Sequence, residues 1–381
     1  MTPLTPKTIH LIAAARPNFM KVAPLYHQLS REPWCSPEVV HTGQHYDTNM
    51  SSAFFLDLLL PRPTHHLQIG SGTHAEQTGR TMIAYEAVCM RNRPEAIIVV
   101  GDVNATVACA LVGAKLCIPV VHLEAGLRSR DRTMPEEINR VVTDAIADLL
   151  WTPSPDADQN LLAEGVAADK IDRIGNIMID SFEMLRPKIE RSGARQLLGF
   201  GSDPYAVVTL HRPSNVDQTE KLASLVKVLI EVSKHMPLLF AVHPRTHRRL
   251  AESGLLASIA AAAPGIQLHD PLGYIDFMSL VCGCTMVITD SGGMQEETTY
   301  LGIPCATLRE STERPVTVTS GTNRLLKPPE LVTAALEALA GRWPIGRRPE
   351  KWDGRAAQRA ARSLEQFLMS RTVSTSRQVR A

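Results

Sequence analysis

The chain has 381 residues, of which 44% are hydrophobic and 21% charged, and its formal net charge is +1. That length accommodates two domains of ordinary size, and the balanced charge gives no reason to expect a nucleic acid or a membrane surface as partner. No run reaches the length of a membrane span, and no long apolar stretch precedes a cleavage site at the start, so a cytoplasmic protein is the expectation.

In chain order, the first half alternates apolar strands with helices. Thr8 to Ala14, Glu38 to Thr42, Ala96 to Val100 and Pro119 to Leu123 read as strands. Phe19 to Leu29, Met50 to Leu60, His74 to Met90, Ala105 to Leu116 and Glu136 to Ala147 read as helices between and after them. The second half repeats the plan, with strands at Ala206 to Leu210, Leu238 to Val242, Ile266 to His269, Met286 to Thr289 and Cys305 to Leu308. Its helices are expected at Val216 to Ser233, Arg245 to Ile259, Tyr274 to Val281, Met294 to Leu301 and Pro329 to Leu339. Continuous apolar strands separated by helices predict parallel sheets covered on both faces. The fold class expected is α/β, with two Rossmann-like domains facing a cleft. Arg355 to Met369 has helical spacing and packs on a domain surface, while residues 371–381 read as a frayed tail. Cys35, Cys89, Cys109, Cys117, Cys282, Cys284 and Cys305 form no C-x-x-C pair, and buried reduced thiols are expected.

Ligands of parallel α/β sheets bind beyond the carboxyl ends of the strands, so those ends carry the candidates. After the first strand come Arg16, Pro17, Asn18 and Lys21, two cations at one helix start. Thr42-Gly43-Gln44-His45-Tyr46-Asp47, Gly101-Asp102-Val103-Asn104 and His122 to Arg128 follow later strands. Asp102 also fits a helix N-cap. Glu124 and Arg128 in a glycine turn are hard to explain by packing alone, and Glu136 and Glu137 follow a proline at a helix start. In the second half, His211-Arg212-Pro213 and His243-Pro244-Arg245 end strands. Asp290-Ser291-Gly292-Gly293 leads from a strand into a helix carrying Glu296 and Glu297, and Arg314 follows. Glycines at a helix start let a diphosphate approach free N–H groups, and Arg314 adds a positive charge. No Ser-His-Asp order, P-loop or zinc signature is present.

These motifs, in this order over about residues 8 to 327, resemble the non-hydrolysing UDP-N-acetylglucosamine 2-epimerases. The resemblance rests on Ala15 to Lys21, Thr42 to Asp47, Gly101 to Asn104, His122 to Arg128, Pro135 to Arg140, Leu210 to Pro213, His243 to Thr246, Asp290 to Glu297, Thr312 to Pro315 and Gly321 to Arg324. It implies the glycosyltransferase-B architecture: an N-terminal domain over 1–176, a UDP-binding domain over 177–354, and a helix at 355–370 returning to the first. It implies a catalytic set of Asp102, Glu124, Glu136, His211 and Lys21, with His211 facing the departing UDP and Arg16 and Lys21 near the diphosphate. Ser291, Gly292 and Gly293 would hold phosphate, Glu297 the ribose, Arg314 the nucleotide side, and His243 would face the cleft. It implies a homodimer acting on a UDP-sugar, with no metal and no cofactor. Many members have Gly-Thr where this chain has Ala14-Ala15, a loss of a glycine and a hydroxyl near the phosphate. In some bacterial members the loop at Gln44 helps hold a second, activating UDP-sugar, and Tyr46-Asp47 departs from that pattern. The reaction implied is reversible inversion at C2 through UDP loss to a glycal and re-addition. The alternatives are a related UDP-acetamido sugar, a hydrolysing epimerase, a glycosyltransferase of the same fold, and a non-catalytic UDP-sugar sensor.

Overall fold

The computed structural model describes residues 5–43 and 57–378, with the side chains of Arg16 and of residues 372–378 left aside. The chain divides into two compact units, residues 1–184 with 350–381, and residues 185–349. The helix Ile177–Arg191 carries the chain from the first into the second.

The first unit is built on a seven-stranded sheet in the order β3-β2-β1-β4-β5-β6-β7. Its strands are β1 (Lys7–Ala13), β2 (Cys35–His41), β3 (His65–His66), β4 (Ala96–Val100), β5 (Val120–Leu123), β6 (Leu149–Thr152) and β7 (Ile171–Arg173). Every neighbouring pair is parallel. All five residues of β4 are buried, as a central strand covered by helices on both faces requires. The strand order reverses between β1 and β4, which opens the topological switch point at their carboxyl ends.

The second unit repeats the arrangement with β8 (Ala206–Thr209), β9 (Leu238–Ala241), β10 (Ile266–His269), β11 (Met286–Thr289), β12 (Cys305–Thr307) and β13 (Asn323–Leu325). The order is β10-β9-β8-β11-β12-β13, again all parallel, and the switch point falls between β8 and β11. One continuous core joins Val208, Phe240, Ile288 and Leu308 to the helix Thr219–Ser233 and to Leu331 and Ala335.

The apolar strands stand where the sequence places them, but β3, β6, β7 and β13 escape it. Three of these are short edge strands with polar residues, and β6 is a four-residue strand that follows a helix after only two residues. The helix expected over Arg245 to Ile259 is two helices, Pro244–Glu252 and Leu255–Ala261, because Gly254 between them adopts a left-handed φ of +69°. Val216 to Ser233 likewise divides into Pro213–Val216 and Thr219–Ser233. The last helix runs Ala356–Gln378, well past residue 371. The helix expected at Met50 to Leu60 lies largely outside the described residues, as does Gln44 to Asp47. All seven cysteines are free, and two of them, Cys117 and Cys282, are exposed rather than buried. Among the described residues no helix is long and apolar enough to cross a membrane.

The returning segment is locked to the first unit by polar contacts in a buried seam. Trp151 donates from Nε1 to Ser363 Oγ at 2.9 Å, and Trp352 from Nε1 to the Pro153 carbonyl at 2.9 Å. Asp180 accepts from the backbone N–H groups of Ala356 and Ala357 at 3.0 and 2.8 Å and so caps the last helix. Burial pushes the Asp180 carboxyl up to about 6, against the pull of those two donors. Gly175 has φ +92°, and a Cβ there would overlap the Lys351 carbonyl oxygen. Gly175→Ala should therefore lower unfolding stability by roughly 2–4 kcal/mol, from backbone strain plus steric displacement. Urea unfolding of the full chain measures this, and an unchanged midpoint would show that the seam yields freely.

Candidate functional site

At the switch point of the first sheet, the β1 end and the β4 end share one polar cluster. Asn18 accepts from Ala15 N at 3.0 Å and donates to the Val100 carbonyl at 3.1 Å, which ties the start of the helix Arg16–Leu29 to the end of β4. One turn into that helix, Lys21 Nζ donates to Glu124 Oε2 in an ion pair with both side chains nearly buried. Glu124 stands just past β5 in the left-handed region, at φ +72°, where a side chain other than glycine is strained. Backbone bonds hold it there: Glu124 N and Ala125 N both donate to the Trp151 carbonyl at 3.1 Å. Glu124 Oε1 is buried and takes no hydrogen bond from a described residue. Gly101, at φ +69°, brings the β4 turn close: a Cβ there would lie 3.4 Å from Glu124 Oε2 and 3.6 Å from Lys21 Nζ.

Two ion networks hold this edge in shape. Asp102 Oδ2 accepts from Arg140 Nε and Nη2 at 3.0 and 2.6 Å, and Arg140 Nη1 donates to Glu137 at 2.7 Å. Glu137 also accepts from the backbone of Ser129 and Arg130, at 2.9 and 3.0 Å. Burial alone would raise the Glu137 carboxyl, but these donors outweigh it and hold it below the ordinary glutamate range. In the second network, Asp144 pairs with His122 Nδ1 at 2.6 Å and Arg128 Nη1 at 2.7 Å, and accepts from Gly126 N at 3.1 Å. His122 Nε2 reaches the Gly101 carbonyl at 2.8 Å. Burial pushes the Asp144 carboxyl up, and His122 and Arg128 more than reverse it, so it stays ionised. The helix Pro135–Ile146 supplies both networks from an inward face that is polar, with Glu137, Arg140, Thr143 and Asp144 buried.

The switch point of the second sheet is organised by Asp290, at the end of β11. It accepts from the backbone of His211 and Arg212, at 3.1 and 3.0 Å, and from Asn215 Nδ2 at 3.0 Å. His211 Nδ1 also lies 3.0 Å from its carboxylate. The His211 and His243 rings are 5.8 Å apart, and burial, His211 and Arg245 all lower His243 below the ordinary histidine range. Ser291 is the N-cap of the helix Gly292–Leu301 and makes no side-chain cap, which leaves its hydroxyl for other partners. Gly292 lies close under the Arg314 side chain: a Cβ there would come within 2.7 Å of Arg314 Nη1 and displace the ends of Arg314 and Glu313. A Cβ at Gly293 would meet no described residue within 4 Å. Arg314 is clamped by Glu296 at 2.7 Å and Glu313 at 2.6 Å. Burial would raise Glu313, but Arg314 and Arg309 outweigh it and hold it well below the usual carboxylate range. Glu297 is buried and accepts from the Tyr274 hydroxyl at 2.7 Å.

The family model for UDP-N-acetylglucosamine 2-epimerase matches residues 27–365. The chain belongs to that family. It is accordingly an isomerase-type enzyme, and its two parallel-sheet α/β units are of the glycosyltransferase-B type. A UDP-N-acetylglucosamine 2-epimerase of Methanocaldococcus jannaschii is 41% identical over 326 residues, covering 84% of this chain and 88% of that protein. A UDP-2,3-diacetamido-2,3-dideoxy-D-glucuronate 2-epimerase of Pseudomonas aeruginosa is 39% identical over 319 residues, covering 83% and 87%. The crystal structure of a Methanocaldococcus jannaschii enzyme in complex with UDP-GlcNAc and UDP superposes with a TM-score of 0.85 at 38% identity, over 94% of this chain and 99% of that one.

Within this epimerase-family chain, the expected residues fall into distinct groups. Lys21 and Glu124 meet directly, with the Gly101-Asp102 turn beside them. Asp102 is turned toward Arg140. Glu136 is half-buried at the helix start, outside both networks. The backbone of Arg16 begins its helix, while its side chain lies outside the described part. His211 and His243 adjoin one another, and Gly292 adjoins Arg314. Asp144, Glu313 and Tyr274 were not singled out from the sequence. Asp144 had a signal all the same: with Glu137 and Arg140 it forms a charged stripe at i, i+3 and i+7 on one helix face.

Glu297 gives this site a pH signature. Burial, reinforced by the Glu296 charge, raises its carboxyl from an ordinary 4.5 to about 7. A carboxyl raised in the folded state gives stability that is complete below pH 4.5 and is lost as pH rises through 7. Glu297→Gln keeps the Tyr274 bond and removes the titration. The difference in urea midpoint between variant and wild type should move in favour of the variant from pH 5 to pH 8. A pH-independent difference would place the Glu297 carboxyl at its ordinary value.

Proposed function

We propose that this enzyme reversibly epimerises UDP-N-acetylglucosamine at C2, through elimination of UDP and its re-addition. The C2 hydrogen leaves as a proton and the C1–O bond breaks with its electron pair on UDP, which gives a glycal. Re-addition of UDP at C1 with protonation of the opposite face at C2 gives UDP-N-acetylmannosamine. This needs groups that take and give a proton and cations that stabilise the leaving diphosphate. The single observation that carries the reading is the Lys21–Glu124 pair at the first switch point, with Glu124 on strained backbone and one buried oxygen unpaired. Backbone strain of roughly 1–3 kcal/mol is kept where the aim of a side chain repays it. Asp102 and Glu136 join Glu124 as the proton-handling carboxylates, and Arg16 and Lys21 serve the diphosphate. In the second unit Ser291, Gly292 and Gly293 hold phosphate, Glu297 the ribose and Arg314 the nucleotide side, with His211 toward departing UDP and His243 beside it. A homodimer is part of the same reading, and light scattering tests it.

The Pseudomonas aeruginosa relative favours a second reading, a diacetamido uronate sugar as substrate, since its 39% identity barely differs from the 41% of the N-acetylglucosamine enzyme. Incubation with each UDP-sugar and NMR of the products decides between them. A non-catalytic sensor would have no use for a strained, half-unpaired Glu124.

Glu124→Gln keeps size and hydrogen bonding and removes the proton acceptor. Turnover should fall by roughly 10²–10⁴, the range of lost acid–base catalysis, while UDP affinity by calorimetry stays near wild type. In D₂O the wild-type product should carry deuterium at C2. Retention of the original hydrogen would exclude exchange through a glycal with solvent access.

Arg314→Ala should weaken UDP binding by roughly 1.5–3 kcal/mol, the scale of a charged hydrogen bond. Calorimetry with UDP alone reads it, and unchanged affinity would take Arg314 out of the nucleotide site. Circular dichroism of the variant separates lost binding from lost fold, since Glu296 and Glu313 lose their shared partner.

A further inference from the structure

Three strands at the margin of the first sheet bring His10, Glu38 and His65 together. His10 on β1 is the register partner of Glu38 on β2, and His65 on β3 partners Val40, two residues further along. Side chains alternate along a strand, so all three project from the same face. Their ligand atoms lie within 4.8 Å of one another. His65 Nε2 is 3.0 Å and His10 Nε2 is 3.7 Å from the same oxygen, Glu38 Oε2.

The His65–Glu38 bond accounts for those two residues but not for His10. His10 is wholly buried, and its Nδ1 is bonded to the hydroxyl of Tyr85, also wholly buried, at 3.0 Å. Its Nε2, turned toward Glu38, is buried and takes no hydrogen bond from a described residue. An orphaned buried nitrogen is costly, and native structures rarely keep one without a purpose.

We propose that His10 Nε2, His65 Nε2 and the Glu38 carboxylate bind a divalent transition-metal ion, zinc by preference. Two imidazoles and one carboxylate are a zinc-type donor set, whereas calcium and magnesium take oxygen ligands throughout. Bonds of about 2.0–2.1 Å in a tetrahedron place ligand atoms about 3.3 Å apart. The two spacings to Glu38 Oε2, 3.0 and 3.7 Å, bracket that value, and Glu38 and His65, with 20% and 21% of their side chains exposed, have room to close on the ion. The same exposure admits water as a fourth ligand. The Tyr85 hydroxyl lies 3.0 Å from His10 Nδ1 and can accept its proton, an outer partner that would leave Nε2 free for the ion. The ion joins the two-residue edge strand β3 to β2 and β1. It uses none of the residues assigned above to substrate, so its role is to pin the sheet margin and not to act in turnover.

The test uses the full chain stripped with EDTA and then titrated with Zn²⁺ by calorimetry and with Co²⁺ by visible absorption. One equivalent should bind, Co²⁺ should give the intense visible bands of a tetrahedral site, and the thermal midpoint should rise with added Zn²⁺. Glu38→Gln with His65→Ala should weaken binding at least 100-fold; both positions are partly exposed, and buried His10 is left intact. His65→Gln is the milder second variant, with a smaller loss in the same direction. Turnover of the stripped, folded enzyme should equal that of the loaded enzyme. Absence of stoichiometric binding, or equal binding by the double variant, would overturn the site. Loss of turnover on stripping with the fold intact would overturn its purely structural role.

Discussion

The carboxylate of Asp144 is the fixed point of the first unit's site. It sits in the helix Pro135–Ile146 with almost no solvent exposure and binds His122, Arg128 and the Gly126 N–H at once. Removing one partner of such a buried group costs about 3–5 kcal/mol. Through His122 it reaches the Gly101 carbonyl, and through Gly126 the turn that follows Glu124. The strained backbone at Glu124 is therefore held on one side by β6 and on the other by Asp144. Glu124 meets Lys21 because the loops around it have little freedom to relax.

The second unit solves the same problem more directly. There the organising carboxylate is Asp290, placed at the strand end itself, and it gathers the His211 and Arg212 N–H groups and Asn215. Around it the charges are closely matched: Arg314 lies between Glu296 and Glu313, and Arg309 pairs with Glu313 as well. Two carboxylates therefore already neutralise that cation in this structure. The room for a Cβ at Gly293 and the uncapped Ser291 hydroxyl fit a group brought to the helix start.

Much of the architecture was legible because parallel strands buried on both faces leave an unbroken apolar record. Ala96 to Val100, Ile266 to His269 and Met286 to Thr289 were placed to the residue. The edge strands β3, β7 and β13 were not, since an edge needs little apolar surface and so leaves little trace. Gly254 divided a helix that periodicity read as continuous, because apolar spacing carries no information about φ.

At the site, the sequence by itself determined which residue types stand at the strand ends: Lys21, Asp102, Glu124, His211, His243, Ser291 to Gly293 and Arg314. Motif order along the chain sets that list, since each residue lies in the segment after a strand or in the first turns of the helix that follows it. Only the tertiary structure decided which of these meet. Lys21 and Glu124 are 103 positions apart in the chain and are paired only because β1 and β5 both flank β4. Asp102 was committed to Arg140 by the docking of a helix whose polar stripe faces inward, and Glu297 to Tyr274 by burial. His10, Glu38 and His65 lie in unrelated stretches, without metal-ligand spacing, and parallel register alone aligns them. Contacts of this kind depend on strand order and register, which arise from packing the whole sheet and are carried by no local segment.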